Sequence, residues 1–350
     1  MSCSQLTLPQ NNDSGKQVVQ KNLENSSLEA DDLGSNNPDN LAGDSSKNFQ
    51  TSEGTESSTS TKKVYSNCRA FALLKEDGSV VTWGDSSYGG DSSSVATSLK
   101  SGVVSIFSTF CAFAALKDDG SVVTWGYDKF GGDSSSVASN LTSGVVNIFS
   151  TAYIFVALKK DGAVVTWGDS EYGGDSSSAA SNLTSGVVSI FSTGYDFAAL
   201  KKDGSVVTWG SRFHGGDSSS VASSLTSGVV NIFSTYNAFA ALKEDGSVVT
   251  WGDSDGGGAD SSSVATSLKS GVVSIFSTKK AFAALKKDGS VVTWGWGNSG
   301  GDSSSVASSL TSGVVNIFST KKAFAALKKD GSIVTWGDSG YGGDSTGVDF

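Results

Sequence analysis

The chain has 350 residues, of which 37% are hydrophobic, and a formal net charge of −10. The length allows two or three domains, but the negative charge, with lysines that recur singly or in pairs beside acids, argues against a nucleic-acid partner. No apolar run reaches the roughly 18–20 residues of a membrane helix, and three cysteines with one histidine argue against a disulfide scaffold or a Cys/His zinc site.

The first 61 residues differ in composition from the rest of the chain. They hold both prolines, one aromatic residue and nine acids against three lysines. Such a segment cannot bury enough apolar surface to offset its ordering entropy. We therefore expect residues 1–61 to be a disordered tail and residues 62–350 to form the folded domain. The start lacks a basic stretch followed by an apolar one, so we expect no signal peptide and a cytoplasmic location, with unconventional secretion left open.

A repeat of about 42 residues fills the rest of the sequence. Each unit approximates SGVVNIFST-xx-AFAALKKDGSVVTWG-xxxx-GGDSSSVASSL. One tryptophan ends each TWG segment, at spacings of 42, 42, 42, 42, 43 and 42 residues: Trp83, Trp125, Trp167, Trp209, Trp251, Trp294 and Trp336. A fixed period of this length is typical of propellers and solenoids.

One unit contains three predicted strands. VVSIFS (103–108) and SVVTWG (121–126) are β-branched and aromatic, and AFAALK (112–117) is short and lies between turn signals. Asp119–Gly120 predicts a hairpin turn with both residues at positive φ. The polar SSSVASSL stretch is predicted to be a short outer strand at an exposed edge, with a one-turn helix as the alternative.

Both faces of such a sheet are apolar, so neighbouring sheets must stack. The predicted fold is all-β: a seven-bladed β-propeller of antiparallel repeats, with an open β-solenoid as the alternative. Because the last unit ends in DSTGVDF and the first begins with KKVYS, we expect the two ends to complete one blade. Trp209 is predicted to be buried between blades.

The string GVVxIxS-xx-AFAALKKDGSVVTWG, with its VASSLTSGVV lead-in, resembles the repeats of the RCC1 (regulator of chromosome condensation 1) family. The resemblance spans residues 62–350 and implies a seven-bladed propeller. That family includes exchange factors for small GTPases, ubiquitin-ligase substrate modules and interaction scaffolds. The units here are shorter, and YGGD stands where the family has Gly-Gln-Leu-Gly. No exchange-factor contact and no catalytic domain can be identified.

Little in the sequence indicates catalysis. The YGGD glycines are interpreted as turn residues, and His214 as an exposed loop residue, since a catalytic base needs a positioned partner. Cys68 and Cys111 occupy equivalent loops of adjacent units and are expected to be free thiols, with a disulfide left open. We predict no catalytic site, no metal and no cofactor.

The units vary mainly at two places, the residue pair before AF and the four residues after TWG. In an antiparallel sheet both loops emerge on one edge, and the DG turns emerge on the other. The variable loops mix aromatic and adaptable polar residues, as a paratope does. The candidate partner-binding residues are Arg69, Tyr88, Phe110, Tyr127, Lys129, Phe130, Tyr153, Glu171, Tyr172, Tyr195, Arg212, Phe213, His214, Tyr236, Asn237, Lys279, Lys280, Trp296, Asn298, Lys321, Lys322 and Tyr341.

These observations predict a monomeric, non-catalytic scaffold that binds another protein through this face. A surface or secreted lectin-like module that binds sugars through exposed aromatic residues is the alternative. A guanine-nucleotide exchange factor is the least favoured reading, since fold does not imply function.

Overall fold

The computed structural model of the chain describes residues 63–211, 214–254 and 258–349. The predicted tail, residues 1–61, lies outside the described residues, as do Arg212 and Phe213. Within the described ranges, no helix is long and apolar enough to cross a membrane.

Each repeat forms one antiparallel three-stranded sheet, and seven such sheets follow one another as the blades of a β-propeller. The predicted seven-bladed fold is confirmed. The strands, three to a blade, are β1 (Lys63–Ser66), β2 (Ala70–Leu74), β3 (Val80–Gly84); β4 (Val103–Ser108), β5 (Ala112–Lys117), β6 (Val122–Gly126); β7 (Val145–Ser150), β8 (Ile154–Lys159), β9 (Val164–Gly168); β10 (Val187–Ser192), β11 (Asp196–Lys201), β12 (Val206–Gly210); β13 (Val229–Ser234), β14 (Ala238–Lys243), β15 (Val248–Gly252); β16 (Val272–Ser277), β17 (Ala281–Lys286), β18 (Val291–Gly295); β19 (Val314–Ser319), β20 (Ala323–Lys328) and β21 (Ile333–Gly337).

The Asp-Gly segments do connect the second and third strands, but the turn differs from the predicted one. In blade 2 the amide of Gly120 donates to the carbonyl of Lys117 at 2.9 Å, so the turn runs from Lys117 to Gly120. Gly120 alone needs its positive φ of 75°, as in a turn closed by a glycine bulge. The Asp119 carboxylate accepts hydrogen bonds from the Ser121 amide and hydroxyl. The hydrogen bond from the hydroxyl is the main cause that lowers the pKa of Asp119.

The prediction of an outer strand is wrong, because within the described ranges the polar stretch forms 3-10 helix in six of the repeats. In blade 2 the Asp133 carboxylate accepts from the Ser135 amide at 2.8 Å, which turns the chain away from an extended path. A second set of short 3-10 helices follows the TWG strands. The first set is Ser93–Val95, Ser135–Asn140, Ser177–Asn182, Ser219–Leu225, Ser262–Val264 and Ser304–Leu310, and the second is Ser86–Tyr88, Asp128–Phe130, Ser170–Tyr172, Gly297–Ser299 and Ser339–Tyr341.

Among the described residues, the core lies between blades, in six hydrophobic clusters that each join two consecutive blades. Between blades 2 and 3, Phe155 and Trp167 of blade 3 pack against the second strand of blade 2. The two rings stack at 5.3 Å, and Trp167 Nε1 donates to the Gly131 carbonyl at 3.1 Å. A Cβ on Gly131 would lie 2.6 Å from the Phe155 ring, so only glycine allows this approach.

The first and last blades each leave one face exposed, and the prediction that the two chain ends complete one blade is wrong. The first sheet contains only β1, β2 and β3, and no strand from the described C-terminal residues joins it. In blade 1, Phe71 is 43% and Trp83 is 44% exposed, whereas the matching Phe113 and Trp125 of blade 2 are buried. The short KVYS strand pairs with β2. It thereby supplies the first strand of this sheet, so the sheet has its three strands without one from the C-terminus.

The tryptophan between blades 3 and 4, Trp209, should contribute strongly to stability. Trp209 is buried against Phe197 at 5.3 Å, which confirms its predicted burial. Trp209→Ala should lower the free energy of unfolding by about 3–5 kcal/mol, the usual cost of removing a large core aromatic. Denaturant unfolding followed by circular dichroism measures this.

Trp83→Ala is the matched control, because Trp83 holds the same repeat position on an exposed face. In dilute solution it should cost less than about 1 kcal/mol, as surface substitutions do. Equal losses for the two variants would contradict the interblade role of Trp209.

Candidate functional site

The two sets of variable loops lie together at one edge of the blades, as predicted. The turn between the first and second strands emerges beside the 3-10 helix that follows the third strand. In blade 3, Tyr153 of the first loop stacks on Tyr172 of the second, with ring centroids 4.5 Å apart. The DG turns lie at the opposite edge, because they join the other ends of the antiparallel strands.

Backbone hydrogen bonds connect the first loops of neighbouring blades. The Phe110 amide donates to the Ala152 carbonyl at 2.8 Å, the Gly194 amide to the Tyr236 carbonyl at 2.9 Å, and the Tyr236 amide to the Lys279 carbonyl at 3.0 Å. Residues about 42 positions apart in the sequence are therefore held in register side by side. This ladder fixes which side chains of successive blades meet.

Seven rings of blades 2 to 5 form a continuous aromatic column. Tyr153 stacks between Phe110 and Tyr195, at 6.3 Å from each, and Tyr195 meets the Tyr236 ring edge-on at 5.4 Å. The second loops add the flanking rings, of which Phe130 lies 5.0 Å from Tyr153. The column comprises Phe110, Phe130, Tyr153, Tyr172, Tyr195, His214 and Tyr236.

Gly194 makes room for one of these rings. A Cβ at Gly194 would lie 2.9 Å from the Tyr236 ring, and the other blades carry a side chain at this repeat position. The approach brings the hydroxyls of Tyr195 and Tyr236 to 3.1 Å, within hydrogen-bond distance. The column is thus held by ring contacts and a hydroxyl pair. Ring contacts of this kind stabilise a structure beyond the burial of their apolar area.

Cations extend the site at both ends of the column. Lys279 lies over the Tyr236 ring at 4.6 Å and Lys280 over the Trp296 ring at 5.1 Å. The same pairing joins Lys322 to Tyr341 in blade 7 and Arg69 to Tyr88 in blade 1. Such contacts hold a flexible cation over a ring. The face therefore changes from aromatic in the middle blades to cationic in blades 6 and 7.

One ion pair ties blade 2 to blade 3 on this face. Lys129 Nζ lies 3.0 Å from Asp169 Oδ2. Asp169 is buried, whereas Lys129 is exposed. The hydrogen bond to Asp169, followed by its charge, raises the Lys129 pKa. The pair holds a cation in the loop that also carries the exposed Tyr127.

A buried carboxyl lies beneath the column, at a position that sequence reasoning missed. Asp196 begins β11, where the other blades have alanine or isoleucine, and it is fully buried. Burial raises the pKa of Asp196 to about 7, against the opposing hydrogen bond from Thr193, whose hydroxyl lies 2.9 Å from Oδ2. The sequence feature that could have indicated this carboxyl is the change from AFAAL in most repeats to DFAAL at residues 196–200.

The two cysteines of blades 1 and 2 meet across the first loops. Their Sγ atoms are 3.9 Å apart and both thiols are free. Burial raises the pKa of Cys111 to about 12 and also raises that of Cys68. Both thiols are therefore poor nucleophiles at neutral pH.

The candidate residues fall into two groups by exposure. His214 is half-buried rather than exposed, since its ring lies 4.9 Å from that of Tyr195 and Nδ1 is 3.1 Å from the Ser211 hydroxyl. Arg212 and Phe213 lie outside the described residues. The exposed candidates are Arg69, Tyr127, Lys129, Glu171, Trp296 and Asn298, and the half-buried ones are Tyr88, Phe110, Phe130, Tyr153, Tyr172, Tyr195, His214, Tyr236, Asn237, Lys279, Lys280, Lys321, Lys322 and Tyr341.

No protein-family model matches the chain, and no curated protein matches it. Among solved structures it is similar to Prp20p from Saccharomyces cerevisiae, which has binding properties to Gsp1p and histones, over 67% of this chain and 72% of that chain, with 17% identity and a TM-score of 0.37. It is similar to the CRINKLY WD40 ectodomain of the Arabidopsis thaliana receptor kinase ACR4 over 77% of this chain and 93% of that chain, with 16% identity and a TM-score of 0.34. It is also similar to human WBSCR16 over 77% of this chain and 88% of that chain, with 16% identity and a TM-score of 0.39. The strands and their pairing define the fold.

The raised pKa of Asp196 predicts a pH-dependent stability. The unfolded carboxyl has a pKa of about 3.9, so the folded state binds the proton more tightly. The stability that comes from this tighter proton binding is fully present below about pH 4 and is lost as the pH rises through about 7. Asp196→Ala, which restores the residue of blades 2 and 5, should remove this loss. The stability gained over wild type should therefore grow between pH 4 and 7 by a few kcal/mol, since one pKa unit is about 1.4 kcal/mol.

Urea unfolding at a series of pH values measures this difference. Val156→Ala in the preceding blade, which changes no titratable group, is the control and should shift stability equally at every pH. A stability difference between Asp196→Ala and wild type that is the same at pH 4 and pH 7 would contradict the assignment.

Proposed function

We propose that this propeller is a non-catalytic scaffold that binds another protein through the face carrying the variable loops. The observation that carries the proposal is the aromatic column. It arises where otherwise near-identical repeats differ, and it concentrates seven rings on one edge of four consecutive blades.

The composition of this face supports a protein partner. Interface hot spots are enriched in Tyr, Trp and Arg, and Tyr supplies a large contact area at a low cost in side-chain entropy. Tyr127 and Trp296 are 44% and 45% exposed, so they can anchor a partner, while the half-buried rings of the column form a rigid floor between them.

The charges on the face favour an acidic segment in the partner. Lys279, Lys280, Lys321 and Lys322 lie in successive first loops of blades 6 and 7, and three of these four lysines are held over rings. A partner that places apolar side chains on the column and acidic side chains over blades 6 and 7 would complement both regions. The overall negative charge of the chain makes this local cationic region selective rather than generally adhesive.

Tyr153→Ser combined with Tyr195→Ser tests the proposal, because these two rings make most of the contacts in the column. Affinity enrichment with quantitative mass spectrometry, with the full chain as bait, should recover a partner with the wild type and lose it with this variant. With the purified partner, the Kd should rise at least about tenfold, which corresponds to about 1.4 kcal/mol.

Lys160→Ala combined with Lys202→Ala is the matched control. These exposed residues belong to the same two blades but lie beside the DG turns at the opposite edge. The control should bind as the wild type does. Loss of binding in the control with retention in the tyrosine variant would assign the interface to the DG edge. Glycan-array binding that depends on Tyr153 and Tyr195, with no protein partner, would favour the lectin-like alternative.

A further inference from the structure

The first blade exposes the surface that every later blade buries. We call Val64, Phe71, Val81 and Trp83 the head surface; they are exposed by 51%, 43%, 42% and 44%. The matching residues of blade 2 are buried or half-buried, with Ile106 at 2%, Phe113 at 0% and Trp125 at 2%. These four side chains lie on one face of the sheet, because Val64 and Val81 both pair with Leu73 and Trp83 pairs with Phe71. The rings of Phe71 and Trp83 stack at 5.2 Å.

The last blade exposes the opposite surface. We call Phe318, Ala325, Leu327, Gly331 and Gly342 the tail surface. Phe318 is 53% exposed, whereas the equivalent phenylalanines of blades 2 to 6 are half-buried. A Cβ on Gly331 or Gly342 would meet nothing within 4 Å, although the same position in blade 2 is filled by the next blade.

The head and tail surfaces match each other as consecutive blades do. Inside the array, each Phe–Trp pair packs on the preceding blade, and four of these six tryptophans donate to a glycine carbonyl of that blade. Trp125 donates to Gly89, Trp251 to Gly215 and Trp336 to Gly300, at 3.0–3.1 Å. Trp83 and the carbonyl of Gly342 are the donor and the acceptor of the same pairing at the two ends.

We propose that the head surface of one chain docks on the tail surface of a second copy, so that the propellers associate head to tail. Trp83 and Phe71 of one copy then occupy the place of an eighth blade's Phe–Trp pair against Gly342 of the other. Both surfaces are exposed on the same chain at once, so the tail surface of a chain does not cover the head surface of that chain.

This mode of association follows from how repeat proteins end. Repeat arrays usually carry terminal repeats with a polar outer face, whereas the first and last of the described blades present apolar residues on their outer faces. Apolar patches of this kind mark association sites on soluble proteins. A contact between different surfaces of two identical chains is heterologous, so it leaves a free head and a free tail and extends to longer assemblies. The monomer expected from the sequence would then exist only at low concentration.

Sedimentation velocity of the full chain over a range of concentrations tests the proposal. The wild type should show a mass that rises with concentration from the 35.7 kDa of the single chain, without stopping at a dimer. Val81→Lys blocks the head surface and Phe318→Lys blocks the tail surface, and each variant alone should remain at the single-chain mass. An equimolar mixture of the two should form a complex of about twice 35.7 kDa and nothing larger.

Val315→Lys is the matched control, because Val315 neighbours Phe318 on β19 and is 46% exposed, like its equivalents in every complete blade. It should associate as the wild type does, and circular dichroism should report the same strand content for all variants. A wild type that stays at the single-chain mass at all concentrations would overturn the proposal. A mixture of the two blocked variants that stays monomeric would overturn it as well.

Discussion

The packing of one Phe–Trp pair per blade against the glycines of the preceding blade is the interaction on which the rest of this structure depends. It buries the largest side chains of blades 2 to 7, such as Phe155 and Trp167, and it requires glycine where a Cβ would strike the ring, as at Gly131. Because the core lies between blades rather than within them, a single blade has no core of its own. The stability of each blade therefore comes from its neighbours.

The same packing explains why a binding face can vary so freely. The residue pair before the second strand and the loop after TWG lie outside the interblade contact, so they can change without loss of core packing. The interblade spacing nevertheless holds them in a hydrogen-bonded ladder. Substitutions at one repeat position then meet substitutions at the same position of the next repeat. The result is a face with thiols in blades 1 and 2, rings in blades 2 to 5, and cations in blades 6 and 7.

Much of this could be predicted from the sequence, because the 42-residue period and the β-branched segments specify the strands of each blade. The period also placed Tyr153 and Tyr195 on one face. The ring contacts between them depend on the distance between blades, which no local pattern contains. The outer stretch was predicted as a strand from its place at the sheet edge, but aspartate side chains such as Asp133 bend it into 3-10 helix. The exposed ends could not be predicted, since closure depends on the rotation between blades, to which every interface contributes.

Amide hydrogen exchange, resolved by blade and measured in dilute solution, tests most directly whether each blade depends on its neighbours for stability. If each blade is stabilised only by its neighbours and the end blades have one neighbour each, protection should be highest in blades 3 to 5 and should fall towards blades 1 and 7. Equal protection in all seven blades, with Phe71 and Trp83 shielded in a single chain, would contradict this dependence at the two ends, because it would mean that the seventh blade packs on the first.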